Sequence, residues 1–71
     1  MIIKFKHPTE LEVVETYNEA ADHWETSNET FTAGEVVEVD LLDQTAESAD
    51  FQFGDGSVAF AVPKDCYEVM P

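Results

Sequence analysis

Four carboxylates surround one short polar stretch of the sequence: Asp40, Asp43, Glu47 and Asp50. Clustered carboxylates are the side chains that bind Ca²⁺ in proteins. An EF-hand loop, however, needs oxygen ligands at alternate positions and a central glycine, and this stretch has neither. The sequence therefore predicts a solvated acidic loop and assigns no metal ligands. Weak divalent-cation binding is kept as a further alternative.

A histidine and the single tryptophan are adjacent at His23-Trp24, between Asp22 and Glu25, and such a group would suit metal or acid–base chemistry. Neighbouring side chains of a strand point to opposite faces, so His23 and Trp24 are not expected to act together. Trp24 is predicted to be an aromatic residue of the core or its rim, or else an anchor for a partner, since tryptophan is favoured at interaction hot spots.

Nucleophilic catalysis would fall to the single cysteine, Cys66. A reactive thiol needs a nearby base or positive charge to lower its pKa, but Asp65 and Glu68 are the charged neighbours here. Cys66 is therefore predicted to be a small, buried or half-buried apolar residue. The chain has no other catalytic motif, so we predict that it is not an enzyme and that it holds no cofactor.

The charge of the chain is strongly one-sided, with 16 acidic residues against three lysines, no arginine and a formal net charge of −13. Every acid except Asp65 and Glu68 lies between His7 and Pro63, a segment without lysine. Apolar residues separate the acids, which indicates a folded domain with an acidic surface. Such a surface would repel nucleic acid, and no stretch is long enough to span a bilayer.

The dipeptide Asp55-Gly56 predicts a two-residue β-hairpin turn, because glycine adopts a positive φ freely and aspartate tolerates it. Gly54 would then face Ser57. The pairs expected on one face of the hairpin are Phe53 with Val58, Phe51 with Phe60, and Ala49 with Val62. Pro63 would end the second strand, since proline has no N–H for the ladder.

The first half of the chain predicts further strands. Ile3 and Phe5 would share a face of an edge strand that ends at His7-Pro8, and residues 11–17 are rich in β-branched types. Leu11, Val13 and Tyr17 would point one way. Residues 18–22 could form a short helix capped by Asn18 or a hairpin loop whose return strand covers residues 23–31. The hairpin is favoured, because the next residues are poor helix formers.

After Pro63, the order continues with one tight helical turn, Lys64-Asp65-Cys66, and a short strand that ends near Met70. This order, with the turn and alternating strand of residues 31–39, resembles the Src-homology-3-like barrel. The resemblance covers residues 31–70 and implies an all-β, small, partly open barrel of five to six strands, with residues 1–71 as a single domain. The predicted core is Val37, Val39, Leu41, Phe51, Phe53, Val58, Phe60, Val62, Tyr67 and Val69.

The resemblance also suggests a binder of proline-rich peptides. Those domains carry a tyrosine three residues after the proline and a tryptophan at the start of the third strand. This chain has Cys66 and Asp50-Phe51 at the corresponding positions. The aromatic groove of those domains is therefore not predicted.

The charge instead favours a small acidic protein-interaction module that engages a basic protein surface, of the type that otherwise binds nucleic acid. The expected partner-binding residues are Trp24, Asp40, Asp43, Glu47 and Asp50. The alternative is a structural domain whose acidity serves solubility. A homo-oligomer is compatible with either function. With one cysteine and no apolar leader at its start, the chain is expected to be cytoplasmic.

Overall fold

The computed structural model describes all 71 residues. Seven strands and one 3-10 turn follow one another along the chain. They are β1 (Ile2–Phe5), β2 (Thr9–Asn18), β3 (His23–Phe31), β4 (Val36–Gln44), β5 (Ser48–Phe53), β6 (Val58–Pro63), the 3-10 turn (Lys64–Cys66) and β7 (Tyr67–Met70). The predicted all-β class is confirmed.

All seven strands belong to one antiparallel sheet, in the order β3-β2-β6-β5-β4-β1-β7. The sheet has one or two strands more than expected. It is also not closed into a barrel, because β3 and β7 are its two edges and do not pair with each other. Strand β4 joins the two halves of the sheet: Glu38 lies opposite Ile2 of β1, whereas Val39 lies opposite Phe53 of β5.

The hairpin of β2 and β3 confirms the preferred structure for residues 18–31. Its turn is held at the start by Asn18, whose side-chain oxygen accepts a hydrogen bond of 3.1 Å from the Ala21 N–H. Asp22 then adopts a positive φ of 53°, a conformation that aspartate tolerates better than most residues. The chain therefore reverses without a glycine, and β3 begins at His23.

The hairpin of β5 and β6 has a longer loop than the predicted two residues. Gly56 N–H donates to the Phe53 carbonyl at 3.0 Å, and Phe53 N–H donates to the Ser57 carbonyl at 2.8 Å. Phe53 therefore faces Ser57, not Val58, and Gly56 takes the positive φ of 91° that the loop requires. The Asp55 carboxylate accepts hydrogen bonds from the hydroxyl and N–H of Ser57, and these lower the pKa of Asp55.

A β-bulge then shifts the register within this hairpin. Ala49 faces Val62 as predicted, but Phe51 faces Ala59, so β6 contains one residue more than β5 between these pairs. Ala61 adopts a φ of 54°, and its N–H donates to the Asp50 carboxylate at 2.8 Å. The predicted pairing of Phe51 with Phe60 is wrong, because the three-residue loop moves the register by one residue and places Ala59 opposite Phe51. Phe60 therefore points outward, where it is 61% exposed, and the bulge after it returns Val62 to its place opposite Ala49.

The hydrophobic core lies on the other side of the sheet. Phe31 stacks between Phe5 and Phe53, with ring centroids 4.4 and 5.7 Å apart, and Phe51 meets Tyr67 edge to face at 5.2 Å. The buried apolar residues are Ile3, Phe5, Leu11, Val13, Phe31, Val39, Ala49, Phe51, Ala59, Val62, Cys66 and Tyr67.

Four members of the predicted core are buried, namely Val39, Phe51, Val62 and Tyr67. Val37, Phe53 and Val58 are half-buried, whereas Leu41, Phe60 and Val69 are exposed. Leu41 lies beside a second bulge, between Leu41 and Asp43, and Val69 lies on an edge strand. No element of the fold is a helix of the length and apolarity needed to cross a membrane.

Candidate functional site

A groove of about 360 Å³ crosses the face of the sheet that points away from the core, which we call the outer face. Its lining, the Trp24–Phe60 groove, consists of Val14, Glu15, Trp24, Gly56, Val58 and Phe60. Four of these six residues are hydrophobic, and Trp24 and Phe60 are 60% and 61% exposed. Large exposed aromatic side chains that share one concave surface are typical of a binding site.

The strand register explains why these residues share the outer face. Val14 of β2 lies opposite Val58 of β6 and opposite Thr26 of β3. Residues directly opposite each other in antiparallel strands lie on the same face, and so do residues two apart in one strand. Trp24 precedes Thr26 by two residues, and Phe60 follows Val58 by two. The groove therefore runs diagonally across three neighbouring strands, with Trp24 at one end and Phe60 at the other, on either side of the Val14–Val58 pair.

A bulge in β2 supports the Trp24 ring. The register shifts between Val14 and Thr16, so Tyr17 lies opposite Trp24, with ring centroids 5.2 Å apart. The predicted common face of Tyr17 with Leu11 and Val13 is therefore wrong. The Tyr17 hydroxyl donates a hydrogen bond to the Asp22 carboxylate, which raises the pKa of Tyr17. The tip of the β2–β3 hairpin is thus held to the Tyr17 ring, which packs against Trp24.

Three of the four predicted acids share the outer face with the groove. Asp40 lies opposite Gln52, which lies opposite Val58 of the groove, so Asp40 is two strand spacings, about 10 Å, away along the sheet. Asp43 lies opposite Asp50, and Asp50 lies beside Phe60 at the bulge of β6. Asp50 has a structural role as well, since it holds the Ala61 N–H.

The fourth predicted acid, Glu47, lies elsewhere. It belongs to the loop between β4 and β5, and its carbonyl accepts a 2.9 Å hydrogen bond from the Lys64 N–H. It borders a separate cavity of about 460 Å³ together with Pro63, Lys64 and Asp65. No three histidine, cysteine or acidic side chains of the chain come together in a way that could hold a metal ion. The alternative of a divalent-cation site therefore has no ligand set in this structure.

The carboxylates are almost all without a cationic partner. The single ion pair within 4.0 Å joins the His23 ring to Glu25 at 3.3 Å, and both side chains are about half exposed. The lysines lie on β1, just after it and in the 3-10 turn, and none forms an ion pair within 4.0 Å. Lys64 uses its ammonium group to hold the amide oxygen of Gln44 at 3.0 Å. The acidic outer face is therefore not neutralised from within the chain.

Cys66 is buried, as expected. Burial and the neighbouring charge of Asp65 raise the pKa of the Cys66 thiol. A thiol with a raised pKa is a weak nucleophile at neutral pH. The structure thus gives Cys66 the environment of a packing residue.

Comparison of the chain with protein-family models, with curated proteins and with solved structures found no match. The function of the site is therefore inferred from its geometry alone. Sequence reasoning selected Trp24 but missed Val14, Glu15, Val58 and Phe60. It missed Val58 and Phe60 because the β5–β6 loop has three residues in place of the predicted two. It missed Glu15 because a β-bulge that no glycine or proline marks shifts the register of β2, and it had no signal that assigned Val14 to a site.

Proposed function

We propose that this protein is a small acidic interaction module whose outer face binds a basic protein surface, of the type that otherwise binds nucleic acid. One observation carries the proposal: an open groove with two exposed aromatic rings shares a face with Asp40, Asp43 and Asp50, and no lysine pairs with any of these acids. The proposal involves no catalytic step and no cofactor.

The two kinds of residue have different roles in the proposed complex. Unpaired carboxylates attract a basic partner over a long range and raise the association rate, an effect that salt screens. Trp24 and Phe60 supply the apolar contact, which resists salt and slows dissociation. A site with both features binds selectively, because an apolar partner lacks the charge and a flexible polycation lacks the fit.

The charge of the whole chain also bears on the choice of partner. A second copy would bring one net charge of −13 against another, and nucleic acid would be repelled in the same way. A basic protein is the better complement. The proposal places the module in the cytoplasm on composition alone, because a single cysteine permits no internal disulfide.

We propose further that the sheet is an opened Src-homology-3-like arrangement. This is supported by the position of β1 in the sheet, where it lies between β4 and β7. It is also supported by the chain order, in which the long β2–β3 hairpin separates β1 from β4 and a 3-10 turn leads into β7. The Trp24–Phe60 groove lies on the outer face of this arrangement. Its aromatic residues are not those by which the barrel family would bind proline-rich peptides.

The proposal is tested by affinity capture from the native lysate, followed by kinetic binding measurements with the purified partner at low and at high salt. Asp40→Lys combined with Asp43→Lys should slow association, with little change in the dissociation rate. Trp24→Ala should speed dissociation. Val69→Ala is the matched control, because Val69 is similarly exposed, at 57%, but lies on β7.

A specific basic partner whose binding needs Trp24 but not Val69 supports the module. Direct binding of DNA or RNA contradicts it. Failure to retain any specific protein, even at low salt, also contradicts it, and then the alternative of a structural domain whose acidity serves solubility is the better account.

A further inference from the structure

The size of the Trp24–Phe60 groove limits what can occupy it. At about 360 Å³ it lies near the lower end of the range of about 300–1,000 Å³ that is typical of small-molecule pockets. It is neither enclosed nor flat. A single long side chain with its stem between the rings fits these dimensions, whereas a helix or a second sheet would need a larger surface.

The groove contains one fixed negative charge. Glu15 lines it, and the Ser27 hydroxyl donates a 2.7 Å hydrogen bond to the Glu15 carboxylate. No lysine or histidine of the chain forms an ion pair with Glu15. The carboxylate is therefore held in position by the neighbouring strand and has its remaining acceptor capacity free.

These walls select a particular ligand chemistry. A purely apolar side chain would cover Glu15 without giving it a partner, which is unfavourable for a carboxylate. A lysine would provide the charge, but its ammonium group is strongly hydrated. A guanidinium is planar, weakly hydrated, stacks on aromatic faces and binds carboxylates through two N–H groups. Tryptophan is the aromatic residue that attracts cations most strongly.

We propose that the Trp24–Phe60 groove receives an arginine side chain of the basic partner, with its stem between the rings and its guanidinium at Glu15. This inference rests on the proposed function and identifies what enters its groove. The arginine has to come from another protein, because this chain contains none. A second copy of the chain therefore cannot be the occupant.

The test is a nuclear magnetic resonance titration of the isotope-labelled protein with N-acetylarginine amide. The matched probes are the corresponding amides of lysine and of citrulline, which has nearly the shape of arginine without its charge. The single Trp24 indole N–H and the methyl groups of Val14 and Val58 report on the groove. We expect saturable shifts at these groups, and binding at least about fivefold weaker for lysine and for citrulline.

Two pairs of variants assign the effect. Glu15→Gln keeps an acceptor for Ser27 and should weaken arginine binding by about fivefold or more, whereas Glu68→Gln, on β7, should leave it unchanged. Phe60→Ala should weaken it as well, and Val69→Ala should not. The thermal melting of each variant confirms that it is folded.

Equal binding of arginine and citrulline would overturn the inference, because charge would then have no role in the groove. Equal binding of arginine and lysine, with shifts spread over the acidic surface and none at Trp24, would overturn it too, but would leave the acidic interaction module standing. Conversely, arginine binding in the groove without any specific protein partner would contradict the module and support the site.

Discussion

Replacing Phe60 with alanine is expected to leave the fold nearly intact while it removes one side of the groove. Burial of a whole phenylalanine side chain stabilises a protein by about 1.5–3 kcal/mol. Because Phe60 is 61% exposed, the substitution should lower the free energy of unfolding by only about 1 kcal/mol. For a domain of this size, that corresponds to a fall in Tm of about 4–8 °C.

The matched substitution is Phe51→Ala. Phe51 is 1% exposed and packs against Tyr67, so its loss removes the transfer free energy and leaves a cavity. The cost should be about 3–5 kcal/mol. Domains of 71 residues are stable by about 4–11 kcal/mol, so Phe51→Ala should unfold much of the protein at moderate temperature.

Urea and thermal unfolding, followed by far-ultraviolet circular dichroism, measure both variants against the native chain. Phe51 and Phe60 lie on opposite arms of one hairpin, and a two-residue turn at Asp55-Gly56 would pair them and bury both rings. An equal loss of stability in Phe60→Ala and Phe51→Ala would therefore refute the register described here and the groove with it.

Three further outcomes follow from the same structure. Ala61→Gly should stabilise the protein by about 0.5–1 kcal/mol, because the relief of the positive φ exceeds the cost in backbone entropy of a glycine. Ala59→Gly, in the regular part of β6, should destabilise the protein, and urea unfolding measures both variants. The hydrogen bonds from Ser57 lower the pKa of Asp55, so they stabilise the fold fully above the ordinary aspartate pKa and are lost as pH falls through the lowered folded value. Asp55→Asn should therefore reduce the loss of Tm between neutral and strongly acidic pH. Added sodium chloride should raise Tm, because a net charge of −13 with one ion pair is repulsive; a Tm that falls with salt would contradict this.

Two of the turns were readable from the sequence. The poor helix formers of β3 favoured a hairpin over a short helix capped by Asn18, and β3 has the predicted bounds, His23–Phe31. Pro63 and the residues after it predicted the 3-10 turn and the last strand, both of which the structure contains. These features depend on a few neighbouring residues, so a single sequence contains enough information for them.

The length of the β5–β6 loop and the bulges were not readable, and together they define the groove. Ala61 adopts a positive φ without being glycine, and the acceptor that stabilises it is Asp50, eleven positions earlier. Phe60 was placed in the core because strict alternation was counted from a two-residue turn, whereas the loop has three residues. An extra residue in a strand depends on how the sheet must bend over its core, which is a property of the assembled fold. For the same reason, Trp24 could be selected as a candidate but its neighbours could not.

The position of β1 has a consequence for the order in which the chain folds. Ile3 and Phe5 are fully buried, and β1 pairs only with β4 and β7. The residues of β7 lie more than sixty positions away from their β1 partners along the chain. The hairpins β2–β3, β4–β5 and β5–β6 need only short loops to close, so we expect them to form early. The β1–β7 pair requires closure of nearly the entire chain, and topologies with many such distant contacts fold slowly, in about milliseconds to seconds. Until that last step, the β7-pairing edge of β1 lacks its partner and the contact of Tyr67 with Phe51 is missing.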